Sequence, residues 1–157
     1  VISPERGSWW RGLDLTEKGA DWFYKAPLHA LGTAVLADLA LTGLTWAADQ
    51  ARALVSALRS VDQGSADLPA HLAQCEAELT RAERRNDPLA WERAALLWVR
   101  FPQPYDVAYC RWRQGEARAT LGDMERAQEC LRAAWGTAVE LRAEPPRKRI
   151  EPALSSF

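Results

Sequence analysis

Trp91-Glu92-Arg93-Ala94 and Met124-Glu125-Arg126-Ala127 are one phrase written twice, 33 residues apart, and four residues after each alanine stands a large apolar side chain, Trp98 in the first copy and Leu131 in the second. A period in the low thirties marks stacked helix-turn-helix units, each too small to bury its own apolar face and therefore leaning on the next. The phrase predicts an all-α chain built as a scaffold or sensor rather than as an enzyme.

Working outward, Ala, Leu, Glu and Arg dominate and β-branched residues never alternate over a strand's length, so helices are expected almost throughout. Asp87-Pro88 predicts a start: a capping aspartate, then a proline at the first helical position, where its missing amide hydrogen costs nothing. This helix runs from about Pro88 to Arg100, and Phe101-Pro102-Gln103-Pro104 stops it because each proline disfavours helical geometry in the residue before it. The next helices run from about Tyr105 to Leu121 and from Met124 to Leu141, with Gly122-Asp123 as turn and N-cap between them. Upstream, a helix from about Pro27 to Thr42 has Leu28, Leu31, Val35, Leu36, Leu39 and Ala40 at helical steps, and Gly43 ends it. A second, Thr45 to Arg59, carries Trp46, Ala47, Ala51, Leu54, Val55 and Leu58 on one face. Asp62-Gln63-Gly64-Ser65 reads as a linker. A third begins near Asp67, taken as its N-cap, and runs through Leu72, Cys75, Leu79 and Ala82 to Glu83-Arg84-Arg85. Six helices thus form three hairpins over 27–142, preceded by a partly helical extension (1–26) and followed by a flexible tail (143–157) that Pro145-Pro146 begins.

Counted from Ala108 as the first position of a unit of about 34 residues, Gly115 falls at the eighth, Gly122-Asp123 at the fifteenth and sixteenth, Ala127 at the twentieth, Leu131 at the twenty-fourth and Ala134 at the twenty-seventh. The chain here resembles a tetratricopeptide unit, and each position has a steric reason. Small residues at Gly115 and Ala127 let two helices approach where they cross, Leu131 fills the groove between them, and Ala134 makes room for a following helix. Ala94 and Trp98 take the equivalent places one repeat earlier. Arg111 and Arg118 stand where that pattern has Trp and Tyr, and Val139 where it has Pro.

A narrower resemblance rests on Asp87-Pro88-Leu89-Ala90-Trp91-Glu92-Arg93-Ala94-Ala95, then Trp98, then Pro104-Tyr105-Asp106-Val107-Ala108-Tyr109-Cys110-Arg111-Trp112-Arg113-Gln114-Gly115-Glu116-Ala117, then Leu121-Gly122-Asp123. These runs look like the helical repeat region of actinobacterial LuxR-type transcriptional regulators, over about residues 22 to 151 and most closely from 75 to 142. Such regulators join an ATPase module, a tetratricopeptide-like middle and a DNA-binding helix-turn-helix; the resemblance implies the middle segment alone. None of the nine glycines is followed by lysine, so no phosphate loop exists and no cofactor is expected. The residues after Ile150 are too few for a helix-turn-helix. The chain reads as a truncated or free-standing remnant of a regulator, or as a fragment of one.

Composition limits the partners. With 20 basic against 21 acidic residues and a net charge of -1, no field draws nucleic acid or an anionic membrane. Arg147-Lys148-Arg149, flanked by Glu144 and Glu151, reads as a solvated helix end rather than a phosphate contact. Cys75, Cys110 and Cys130 are odd in number and far apart, which suggests neither a disulfide framework nor a zinc site. His29 and His71 have no ligand at metal spacing. Reduced thiols, and no apolar run of signal or membrane-spanning length, imply a cytoplasmic chain.

No nucleophile with a base can be named, so no catalytic residue is expected. Glu76, Glu78 and Glu83 read as a charged helix surface pairing with Arg81, Arg84 and Arg85. The eight tryptophans either line a concave ligand surface or fill the core; Trp91 and Trp98, seven apart on one helical face, favour core. The candidate partner surface is Trp91, Trp112, Arg111 and Arg118, in a concave groove taking a protein or a small effector. Trp9 and Trp10 either cap the first hairpin or mark a contact surface. Two other readings stand beside the sensor: a solenoid remnant that forms a homodimer through its uncovered ends, and a small helical enzyme, which a cleft of strongly perturbed carboxylates would favour.

Overall fold

The computed structural model describes residues 22–61, 65–142 and 144–155, all of it helix and short turns: α1 (Trp22–Leu41), α2 (Thr45–Arg59), α3 (Leu68–Ala82), α4 (Pro88–Trp98), α5 (Pro104–Thr120), α6 (Met124–Glu140) and α7 (Glu144–Ser155). Among the described residues there is no strand, and no helix is long and apolar enough to cross a membrane. Trp9 and Trp10, and most of the Asp62–Ser65 linker, lie outside the described residues, as do the side chains of Arg147, Lys148 and Arg149.

Each helix packs on the one before and the one after it, and α1 also packs on α3 and α5 on α7. Turn chemistry sets these reversals. Gly43 and Gly122 adopt left-handed backbone, φ +101° and +79°, which side chains with a Cβ rarely enter. At the α3–α4 turn the Asp87 carboxylate accepts from the Leu89 amide at 2.9 Å, and Pro88 opens α4. The Asp87 amide in turn donates to Thr80 Oγ1 at 3.0 Å, tying the start of α4 to the end of α3.

Several expectations are corrected. The first helix starts at Trp22, with Pro27 inside it. Only part of the expected face is buried: Leu36 and Ala40 are inside, with Ala26, Ala30, Thr33 and Ala37 beside them, while Leu28, Leu31 and Val35 are 37%, 64% and 48% exposed. Trp46 is likewise exposed, whereas Ala47, Ala51, Leu54, Val55 and Leu58 form the buried face of α2. Asp67 does not cap α3 with its side chain, which turns instead toward His71 Nε2 at 3.5 Å. Asp123 does not cap α6 either, because its carboxylate is taken by Arg118 at 3.1 Å. The stretch expected as a flexible tail carries α7. Pro145 and Pro146 fall in its first turn, where amides have no intrahelical acceptor and proline is tolerated. Ile150 then docks, fully buried, against Trp112, Leu131 and Ala134.

The core is apolar but alanine-rich. Trp91, Ala94, Ala95 and Trp98 of α4 pack with Ala70, Ala73 and Ala77 of α3 and with Cys110 and Ala117 of α5. Both indoles satisfy their donors, Trp91 Nε1 on Asn86 Oδ1 at 3.1 Å and Trp98 Nε1 on Gln74 Oε1 at 2.8 Å. These bonds let the rings sit inside without an unpaired N–H.

Candidate functional site

Of the residues expected to form a repeat signature, Gly115, Ala127 and Leu131 meet where α5 and α6 cross. Ala94, Trp98, Ala127, Leu131 and Ala134 are all buried. At the α5–α6 crossing a Cβ on Gly115 would stand 2.8 Å from Leu131 Cγ and 3.1 Å from the Ala127 carbonyl oxygen, so only glycine fits without movement. Gly122 supplies the turn between these helices, and Asp123 anchors Arg118 across it.

The α5–α6 crossing, with α4 on the other side of α5, leaves an opening. Both α4 and α6 rest on α5 rather than on each other, which produces a cleft of about 580 Å³. Its floor is Arg111, Gln114 and Arg118, three and four residues apart on one face of α5; one wall is Leu89 and Glu92 of α4, the other Arg126, Glu129, Cys130 and Ala133 of α6. The cleft is broad and open to solvent. Arg118 bonds Asp123 at 3.1 Å and reaches Glu92 at 3.7 Å. Arg126 lies 3.7 Å from the same Asp123 carboxylate. Arg111 donates to the neutral Gln114 Oε1 at 2.9 Å.

Of the four residues expected as a partner surface, the structure brings Arg111 and Arg118 together in this cleft and removes the two tryptophans from it. Trp91 is 0% and Trp112 5% exposed, so neither presents its ring to a partner. Trp112 instead lies under the Arg113 guanidinium, 4.2 Å from its carbon, an arrangement that favours the cation over the ring.

Sequence reasoning missed a second polar feature. Glu78, expected on the surface, is 0% exposed. Its Oε2 accepts from Arg81 Nε at 2.8 Å, and its Oε1 takes the short hydrogen bond of the Tyr109 hydroxyl. Arg81 also donates to Asp38 of α1 at 2.6 Å, and Arg113 of α5 donates to Tyr109 at 3.3 Å and to Glu116 at 2.9 Å. A chain of charged hydrogen bonds thus runs α1–α3–α5. Burial, reinforced by Glu78, pushes the Tyr109 phenol well up, so it stays a donor. The local Glu78/Arg81 spacing was readable; the partners 31 and 43 residues away were not.

Chemistry at these sites is limited. Cys75 and Cys110 are fully buried, and burial pushes the Cys75 thiol up to about 12 and the Cys110 thiol well up. Cys130, in the cleft wall, is also pushed up by burial, against the pull of Arg111 and Arg118. A thiol held protonated is a poor nucleophile. His71 lies edge-on to Trp98 at 4.6 Å, and burial lowers its pKa despite Asp67. Among the described residues no three His, Cys, Asp or Glu side chains are placed to hold a metal ion. The cleft offers guanidinium donors and carboxylate acceptors. No protein-family model, curated protein or solved structure matches the chain significantly.

Proposed function

We propose that the chain is a non-catalytic helical-repeat segment for protein interaction or effector sensing, comparable to the tetratricopeptide-like middle of a LuxR-type regulator and stacked as a right-handed solenoid. The observation that supports this reading is the cleft between α4, α5 and α6, lined by guanidinium, carboxylate and amide side chains, with the Cys130 thiol in its wall pushed up by burial. Support for repetition comes from the matched burial of Ala94 with Ala127 and of Trp98 with Leu131, and from helices packing on near neighbours along the chain.

The mechanism is mechanical. A ligand wedged between α4 and α6 shifts both against α5, and α5 carries Tyr109 and Arg113, which join Glu78, Arg81 and Asp38 on α3 and α1. Ligand affinity that differs between two packings of the hairpins biases their populations, and that bias passes to whatever is attached. Sequencing the transcript on both sides of this reading frame tests the regulator reading. An in-frame phosphate loop upstream with a helix-turn-helix downstream supports it, and their absence from an extended message contradicts it.

A second reading, self-association, is favoured by one observation: Leu28, Leu31 and Val35 form an exposed apolar stripe on α1. Sedimentation of the chain with and without Leu31→Glu tests it; a monomer in both cases removes it.

A further inference from the structure

The charges in the α4–α5–α6 cleft do not cancel one another. Arg118 is matched by Asp123 and Glu92, and Arg126 by Asp123. Two remain. Arg111, half-buried on the floor, has no carboxylate within 4.0 Å among the described residues; its one hydrogen bond of 2.9 Å goes to an uncharged amide oxygen. Glu129, exposed on the α6 wall, has no cation within 4.0 Å among the described residues, Arg111 included. A guanidinium and a carboxylate that line one cleft from two helices without reaching each other are complementary to a ligand carrying both opposite charges.

The geometry points to a site for a small zwitterion, one carboxylate and one ammonium on a short spacer, with the carboxylate on Arg111 and the ammonium on Glu129. A planar carboxylate accepts two parallel bonds from a guanidinium fork, which an ammonium cannot offer. The unmatched Glu129 carboxylate repels a second negative charge at the place of the ammonium, so a dicarboxylate of the same length fits less well. Leu89 and Ala133 supply apolar wall for the spacer. This inference rests on reading the cleft as a binding site.

The test titrates the full chain, followed by amide and arginine side-chain NMR shifts, with glycine, 4-aminobutanoate and 6-aminohexanoate, and with acetate and methylammonium as half-ligands. One spacer length binds at least about tenfold more tightly than either half-ligand, the size expected for a charged hydrogen bond, and shifts the Arg111 signals. Arg111→Gln and Glu129→Gln, both at sites with solvent access and checked for folding by circular dichroism, each remove that advantage. Acetate binding as well as every zwitterion, indifferent to Glu129→Gln, overturns the inference in favour of a simple anion site. No shift with any probe overturns it too, while the regulator reading is judged separately by the transcript.

Discussion

Leu131 occupies the space that a side chain on Gly115 would need: the position of a Cβ there is 2.8 Å from Leu131 Cγ. Two helices cross at van der Waals contact because one of them has no side chain at the crossing. Gly136, in the C-terminal third of α6, has nothing within 4 Å of its Cβ position. The same substitution therefore has opposite signs at the two sites. Gly115→Ala destabilises by about 1 kcal/mol, overpacking outweighing the helix-propensity gain. Gly136→Ala stabilises by about 0.5 to 1 kcal/mol. Urea unfolding of both variants measures this, and equal signs contradict the crossing.

Ala127 faces that crossing from α6 and is fully buried. Ala127→Leu is expected to cost about 1 to 3 kcal/mol, whereas Ala53→Leu, on the exposed side of α2, stays within about 0.5 kcal/mol of the parent. The comparison of melting temperatures decides it, both sites being helical alanines.

Arg81 holds Glu78 in a site with no solvent contact. Removing the cation leaves a buried carboxylate that still accepts from the Tyr109 hydroxyl and feels Arg113 but has lost its direct ion pair. Arg81→Met is expected to destabilise by about 3 to 5 kcal/mol, and the double variant Arg81→Met/Glu78→Met to recover much of that loss. A double variant no more stable than Arg81→Met would show that the pair does not act as a unit.

Burial lowers the His71 pKa below its ordinary 6.5, with Asp67 opposing. The unfolded chain takes up this proton first as pH falls. The His71 contribution is therefore fully present above 6.5 and is lost as pH drops from 6.5 through the lower folded value. Stability measured at about pH 7.5 and about pH 5.5 should fall less for His71→Gln than for the parent. Identical falls would assign the acid loss to other groups.

How much of this was readable from the sequence depended on what kind of residue set each feature. The limits of α4, α5 and α6 follow from Asp87-Pro88, the Pro102 and Pro104 pair and Gly122, local signals that act through the backbone of their own turn. The inward face of α1 is legible only in part, because it is built from small residues as well as from Leu36. Against α3, Ala26 and Ala30 cluster with Cys75 and Ala37 and Ala40 with Ala82, while Leu28, Leu31 and Val35 are left outside. Glu78 reads as a surface carboxylate because its cation is local, three residues on, while its second partner is a tyrosine on another helix. Arg111 and Arg118 were singled out because they interrupt an apolar pattern. That Arg118 is neutralised by Glu92 and Asp123 and Arg111 is not depends on how three helices meet, which no spacing encodes.

The central claim, that these helices form a stack in which each hairpin leans on its neighbour, is tested most directly by hydrogen exchange on Gly115→Val. In a stack, stability is a sum of unit and nearest-neighbour contributions. Exchange should rise most in α5, α6 and α7, less in α3 and α4, and least in α1 and α2. An equal rise in all seven helices would mean one undivided cooperative core and would contradict the stack.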